Sequence, residues 1–111
     1  MKLSVRTTGM RLRMEEAEHL ERRLQFALGR FDDLIAWVRV YLTDENGPRG
    51  GADKHCRLVV KVLPSMQLLL EDQDADLTVL IDRAADRLAH LIRRHLERRR
   101  NHRVQVPAFP Y

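Results

Sequence analysis

The chain has 111 residues, 44% of them hydrophobic and 32% charged, a balance typical of one folded domain with a single core. No apolar run reaches the length of a signal peptide or the roughly 18 residues of a membrane span, so we expect a cytoplasmic protein with no membrane partner. The formal net charge of +4 is unevenly placed: residues 1–82 carry 12 Lys and Arg against 14 Asp and Glu, whereas residues 83–111 carry 8 against 2. This asymmetry indicates a polyanionic partner such as nucleic acid.

Residues 1–43 predict a strand, a helix and a second strand. Apolar and polar side chains alternate from Leu3 to Thr7, which indicates a strand with one buried face, and Gly9 follows as a break. Apolar residues then recur at steps of three and four, typical of an amphipathic helix that begins near residue 14 and ends between residues 29 and 33. Its apolar stripe consists of Ala17, Leu20, Leu24, Ala27, Leu28 and Phe31. The β-branched and aromatic run 35–43 predicts a strand. Its buried face is assigned to Ala36, Val38, Val40 and Leu42.

Residues 44–100 predict two more strands and a long helix. The glycine-rich segment 44–53 is typical of a mobile hairpin connection. Alternation resumes over residues 54–62, where Cys56 is interpreted as a small buried hydrophobe, and Pro64 and Ser65 turn the chain into a strand from residue 66 to about residue 71. An aspartate among residues 72–76 is expected to cap a helix that ends near Arg100. The apolar side of this helix consists of Leu77, Leu80, Ile81, Ala84, Leu88, Leu91, Ile92 and Leu96.

The element order is therefore β-α-β-β-β-α. We predict an α+β fold in which the first helix joins two parallel strands and both helices pack on one face of a four-stranded mixed sheet. The opposite sheet face is expected to stay open to water. Residues 1–100 are expected to form the single domain, and residues 101–111, which contain prolines, are expected to form an extended tail that is disordered in the free protein. An edge strand added in a dimer and an extended peptide docked on a partner are the alternatives for this tail.

Five basic residues of the last helix recur at steps of four, three, four and four residues, which places them on one stripe. They are Arg83, Arg87, His90, Arg94 and Arg98. Because the planar guanidinium donates two hydrogen bonds at once, such a stripe is suited to phosphate groups. A solvated face is the alternative, in which Asp82, Asp86 and Glu97 pair with nearby arginines, although three acids are too few to neutralise the run.

The segment from Asp76 to Arg100 resembles the second helix of the ribosome hibernation promoting factor and ribosome-associated inhibitor family. In both, a capping aspartate leads into an apolar stretch, then Ile-Asp, then a basic amphipathic run. The segment Leu28-Gly-Arg-Phe-Asp-Asp-Leu-Ile35 is similar to the family's Leu-x-x-x-Phe-Asp-x-Ile, and the element order agrees over about residues 1–100. The chain departs from the family at Arg13, where a Thr or Ser cap is usual, and at Leu77-Thr78, where Met-Tyr is frequent.

The resemblance implies a protein that binds ribosomal RNA of the small ribosomal subunit near the decoding site and silences translation under stress. The positions that match the family's basic residues are Arg83, Arg87, His90, Arg93, Arg94 and Arg98 on the second helix and Arg23 on the first. The candidate RNA-binding set also includes Arg99, Arg22 and Arg30. Long members of the family continue into a dimerising domain, whereas about a dozen residues follow the helix here, so we expect no ribosome pairing of that kind.

The sequence favours a protein that is not an enzyme and needs no cofactor. His90 and His95 are five residues apart, without Cys or carboxylate at metal-ligand spacing, so no metal site is predicted, and no catalytic residue or small-molecule substrate is expected. Two alternatives to the ribosomal factor stay open. One is a generic double-stranded RNA-binding module, and the other is a protein-interaction module that uses the tail and the face around Phe26. The oligomeric state is left undecided.

Overall fold

The computed structural model describes residues 1–45 and 53–105, and side chains are described as far as residue 101. Residues 46–52 of the hairpin connection predicted at 44–53, and residues 106–111 of the tail predicted at 101–111, lie outside the described residues, whereas residues 101–105 of that predicted tail belong to the last helix. The elements are β1 (Lys2–Thr8), α1 (Met14–Leu28), a 3₁₀ helix (Gly29–Leu34), β2 (Ile35–Asp44), β3 (Lys54–Val62), β4 (Met66–Asp74) and α2 (Leu77–Gln105). This order confirms the predicted β-α-β-β-β-α arrangement of an α+β fold.

The four strands form one mixed sheet in the order β1-β2-β3-β4. β1 and β2 are parallel because α1 carries the chain back between them, whereas the two later pairs are antiparallel. α1 and α2 contact each other, and their apolar stripes are buried in one core with alternate residues of β2 and β3. The predicted inward residue Cys56 belongs to this core, and burial raises the pKa of its thiol to about 12.

The predicted burial pattern differs from the structure at several positions, of which Ala36, Ala17 and Val5 are the clearest. A register shift between Ile35 and Trp37 leaves Ala36 out of the regular pairing with β3, so Ile35 rather than Ala36 occupies the first core position of β2. Ala17 in the first turns of α1 is exposed, because the helix packs on the sheet only from Leu20 onward. Val5 is 41% exposed because β1 is an edge strand.

β4 and α2 are both longer than the sequence pattern indicated. β4 continues through Asp74, which pairs in register with Lys54, so the aspartates expected in a connection belong to the strand. The predicted aspartate cap is confirmed at Asp76, whose side chain accepts a hydrogen bond of 3.1 Å from the backbone N–H of Val79. α2 runs to Gln105, five residues past the predicted end. In the described ranges, α1 and α2 are both too polar or too short to cross a bilayer.

Gly9 is the one described residue with a left-handed backbone conformation, at φ 72°, and a Cβ placed there lies 2.6 Å from the carbonyl oxygen of Asp44. We expect Gly9→Ala to lower the free energy of unfolding by about 1–2 kcal/mol, because alanine is strained in the left-handed conformation and its Cβ would clash with this carbonyl oxygen. Gly29→Ala is the matched control, since Gly29 has φ −55° and open space around it. Urea denaturation of both variants checks the prediction, and equal effects at the two positions contradict it.

Candidate nucleic-acid interface

α2 places its basic residues on the side turned away from the core. Leu80, Leu88 and Ile92 are fully buried on the face of α2 that packs on the sheet. The predicted basic stripe lies on the sides of the helix and on the face opposite the core. The structure divides that stripe into two parts. The first part is occupied by contacts to β4, and the second is free in the described residues.

Arg83 and Arg87 form the proximal part and are bound to the end of β4. Arg83 donates to both carboxylate oxygens of Asp72, at 2.8 and 3.1 Å, and to Asp74 at 3.0 Å. Arg87 lies 3.1 Å from the same Asp72 carboxylate. The hydrogen bonds from Arg83, then those from the Gln73 amide and Arg87, hold the pKa of Asp72 at about 2. These two arginines therefore anchor α2 to the sheet.

Arg94 and Arg98 form the distal part of the stripe, one helical turn apart. Both side chains are exposed, and in residues 1–45 and 53–101 neither makes a hydrogen bond or an ion pair. Arg100 is exposed in the same way, and the sequence prediction missed it because the helix was expected to end there. We therefore define Arg94, Arg98 and Arg100 as the distal arginines, which have no ion pair or hydrogen bond among the side chains described as far as residue 101.

The remaining predicted residues of α2 form hydrogen bonds or loose ion pairs within the protein. Arg93 donates to Nδ1 of His90 at 2.8 Å and lies 3.8 Å from Glu97. Arg99 is half-buried and donates to the carbonyl oxygen of Leu63 at 2.8 Å, so it ties the distal part of α2 to the turn between β3 and β4. The pKa of His95 is lowered by burial and by Arg99 and Arg98, which keeps this imidazole neutral at neutral pH.

α1 contributes its basic residues unequally. Arg23 is 20% exposed and bridges the two helices, with Nε 2.9 Å from Asp82 and Nη2 2.7 Å from Asp86. His19 lies 2.7 Å from the same Asp82 oxygen. These contacts assign Arg23 to the packing of α1 on α2. Arg22 is 67% exposed, with a loose 3.8 Å contact to Glu18, and remains available to a ligand.

A groove of about 480 Å³ separates the outer edges of the two helices. Phe26 lines it from α1 with 86% of its surface exposed, beside Arg30, and α2 contributes His90 and Arg93. The guanidinium of Arg30 lies 5.1 Å from the Phe31 ring centroid, which orients its N–H groups without neutralising them. The groove therefore combines an exposed ring with the guanidinium groups of Arg30 and Arg93, and Asp86, which is paired with Arg23, also lines it.

Sequence reasoning missed the acidic partners of Arg83. Leu68, Leu70, Asp72 and Asp74 share one parity, so the alternation of β4 carries the two aspartates onto the face that α2 covers. This alternation along β4 was the signal in the sequence that could have identified the two aspartates as partners of α2. In the described ranges no cluster of three metal-ligating side chains occurs.

Comparison with known proteins matched residues 4–100 to the family described as Sigma 54 modulation protein / S30EA ribosomal protein. A comparison with curated protein sequences gave no match. Among solved structures, the N-terminal domain of Thermus thermophilus Protein Y is similar with a TM-score of 0.68 and 24% identity, over 86% of this chain and 99% of that one. A ribosomal subunit interface protein from Coxiella burnetii is similar with a TM-score of 0.71 and 16% identity, over 87% and 99%. At these identities the two structures share the fold.

Proposed function

The chain belongs to the Sigma 54 modulation protein / S30EA ribosomal protein family, and on that premise we propose that it is a ribosome-associated factor that silences translation. The family is the one that the sequence motifs indicated. In this proposal the protein acts in the cytoplasm, binds ribosomal RNA of the small subunit near the decoding site, and excludes messenger and transfer RNA from it. It acts by occupancy, without a catalytic step or a cofactor.

The observation that carries the proposal is the exposure of the distal arginines. A guanidinium without an internal partner keeps all five N–H donors for a phosphate, and Arg94 and Arg98 lie on one face of a rigid helix. Arg93 lines the inter-helix groove beside this face, Arg30 lies across the groove, and Arg22 is exposed on α1. Phosphate contacts of this kind position a protein on RNA but do not read its sequence.

The proximal arginines have a different role in this proposal. Because Arg83 and Arg87 are held by Asp72, they fix the orientation of α2 and contribute less to phosphate binding than the sequence pattern indicated. The same applies to Arg23, which is held by Asp82 and Asp86. The RNA-binding surface is therefore expected to centre on the distal half of α2.

Sedimentation with purified ribosomal particles tests this function. We expect the protein to co-sediment with small subunits in low salt and to be displaced by transfer RNA, since both occupy the decoding region in this proposal. If about four arginines each contact one phosphate, log affinity falls with log salt with a slope of about −2.8 to −3.6.

A free RNA duplex of matched length is the control, because it separates the ribosomal factor from a generic double-stranded RNA-binding module. The ribosomal proposal requires at least about tenfold tighter binding to the subunit, a difference of about 1.4 kcal/mol. Equal affinity for any duplex supports the generic module instead. Failure to bind either RNA at low salt rejects both.

A further inference from the structure

The face of the sheet opposite the helices is also strongly basic. Strand register and alternation place five cations on it, with Glu71 as the one acid of the described strands that faces the same way. The cations are Lys2, Arg6, Arg39, Arg57 and Lys61. A second acid, Glu45, lies beyond the end of β2 and is 3.4 Å from His55. We call this surface the open sheet face, and its charge is complementary to a polyanion.

Two aromatic rings lie among these cations. The guanidinium of Arg39 is 4.0 Å from the ring centroid of Trp37, and that of Arg57 is 5.6 Å from Tyr41. In the residues that the structure describes, neither arginine forms an ion pair or a hydrogen bond. Stacking on a ring holds the guanidinium in one plane while its N–H edges stay free, so both arginines are oriented to receive a ligand.

The shape of the open sheet face favours a single strand over a duplex. Four strands spaced about 4.8 Å apart make a surface roughly 14 Å wide, whereas a duplex is convex and touches a flat surface along a narrow line. Surfaces that bind single-stranded nucleic acid combine cations that follow the backbone with rings that contact the bases. Trp37 and Tyr41, both half-buried between cations, provide that combination.

We propose that the open sheet face binds single-stranded RNA, with phosphates on Arg39, Arg57 and Lys61 and bases against the rings of Trp37 and Tyr41. This surface lies on the side of the sheet away from α2, so the protein has one RNA-binding surface on each side. The proposal does not depend on the ribosomal function, because its residues belong to β2 and β3 and not to the helices.

Trp37 provides a direct test, because it is the chain's single tryptophan and lies on the proposed surface. Titration with an oligouridylate of about 12 nucleotides is expected to give a saturable change in Trp37 fluorescence. With about three phosphates neutralised, log affinity should fall with log salt at a slope near −2. Arg39→Gln with Arg57→Gln is expected to weaken this binding at least about tenfold, which is about 1.4 kcal/mol.

Two controls show whether the change in Trp37 fluorescence reports RNA bound to the open sheet face. The helix variant Arg94→Gln with Arg98→Gln, which removes the same charge, should leave the Trp37 titration within about threefold of the unmodified protein, whatever it does to subunit binding. Circular dichroism verifies that each variant is folded. A matched RNA duplex and a polyglutamate serve as competitors, and both are expected to displace the oligouridylate poorly.

Three outcomes overturn the proposal. The first is the absence of a saturable Trp37 change in dilute buffer, and the second is an unchanged affinity in the folded double-glutamine variant. The third is equal competition by polyglutamate or duplex, which assigns the face to an acidic protein or to unselective charge attraction. Loss of subunit co-sedimentation with a retained Trp37 titration rejects the ribosomal function alone.

Discussion

Replacing Asp72 with asparagine is expected to lower the free energy of unfolding by about 2–3 kcal/mol at neutral pH. The Asp72 side chain is 12% exposed and is shared by two arginines of α2, Arg83 and Arg87. Asparagine keeps the size of the side chain but removes its charge. The variant therefore weakens the attachment of α2 to β4 without opening a cavity. Urea denaturation monitored by circular dichroism measures the change.

The same carboxylate makes stability depend on acid pH. Hydrogen bonds from Arg83, the Gln73 amide and Arg87 lower the folded-state pKa of Asp72 to about 2, below its ordinary value of 3.8. A lowered pKa means that this stabilisation is present above the unfolded-state value and disappears as pH falls from about 4 through about 2. The shift corresponds to about 2 kcal/mol over that window. Asp72→Asn should remove this part of the acid-unfolding profile.

Glu71→Gln is the matched control for Asp72→Asn. Glu71 is the preceding residue, points to the open sheet face and changes the net charge by the same amount. In the described part of the chain its carboxylate has no hydrogen bond or ion pair. We expect this control to stay within about 0.5 kcal/mol of the unmodified protein at neutral pH. Equal losses in the two variants contradict the assignment of Asp72 as the anchor of α2.

The elements and the core were predictable from sequence because they depend on local periodicity. Alternation located β3 at residues 54–62, and steps of three and four found most of the core residues of both helices. The failures have local physical causes. Ala36 was assigned to the core because strict alternation does not reveal a register shift such as the one between Ile35 and Trp37. The end of β4 was predicted too early because aspartates such as Asp72 and Asp74 are more frequent in loops than in strands.

The site was less predictable because ion pairing depends on tertiary contacts. Spacing on a helix shows that Arg83 and Arg94 share a stripe, but it cannot show that β4 brings an aspartate beside one and not the other. The contact of Arg23 was equally hidden from the sequence pattern, since Asp82 lies 59 positions along the chain from it. Composition predicts an anionic partner, and the structure separates, among the described side chains of α2, the cations that hold the helix from those without an ion pair or hydrogen bond.

Reversing the charges of two distal arginines, Arg94→Glu with Arg98→Glu, is expected to weaken binding to the small subunit by about 100-fold. Each substitution removes one charge-assisted phosphate contact and places a repelling carboxylate there, at about 1.4 kcal/mol or more per position. The slope of log affinity against log salt should become shallower by the contribution of about two phosphate contacts. Sedimentation of the variant with small subunits over a salt series measures both effects.

Stability should not change in this variant by more than about 0.5 kcal/mol, since both side chains are exposed and unpaired in the described residues. Two single reversals provide the charge-matched comparison. Arg98→Glu should weaken subunit binding about tenfold, whereas Arg11→Glu, an exposed position in the segment before α1, should weaken it less than about threefold through long-range attraction alone. Similar losses at both positions mean that net charge, and not a phosphate-binding face on α2, determines the affinity.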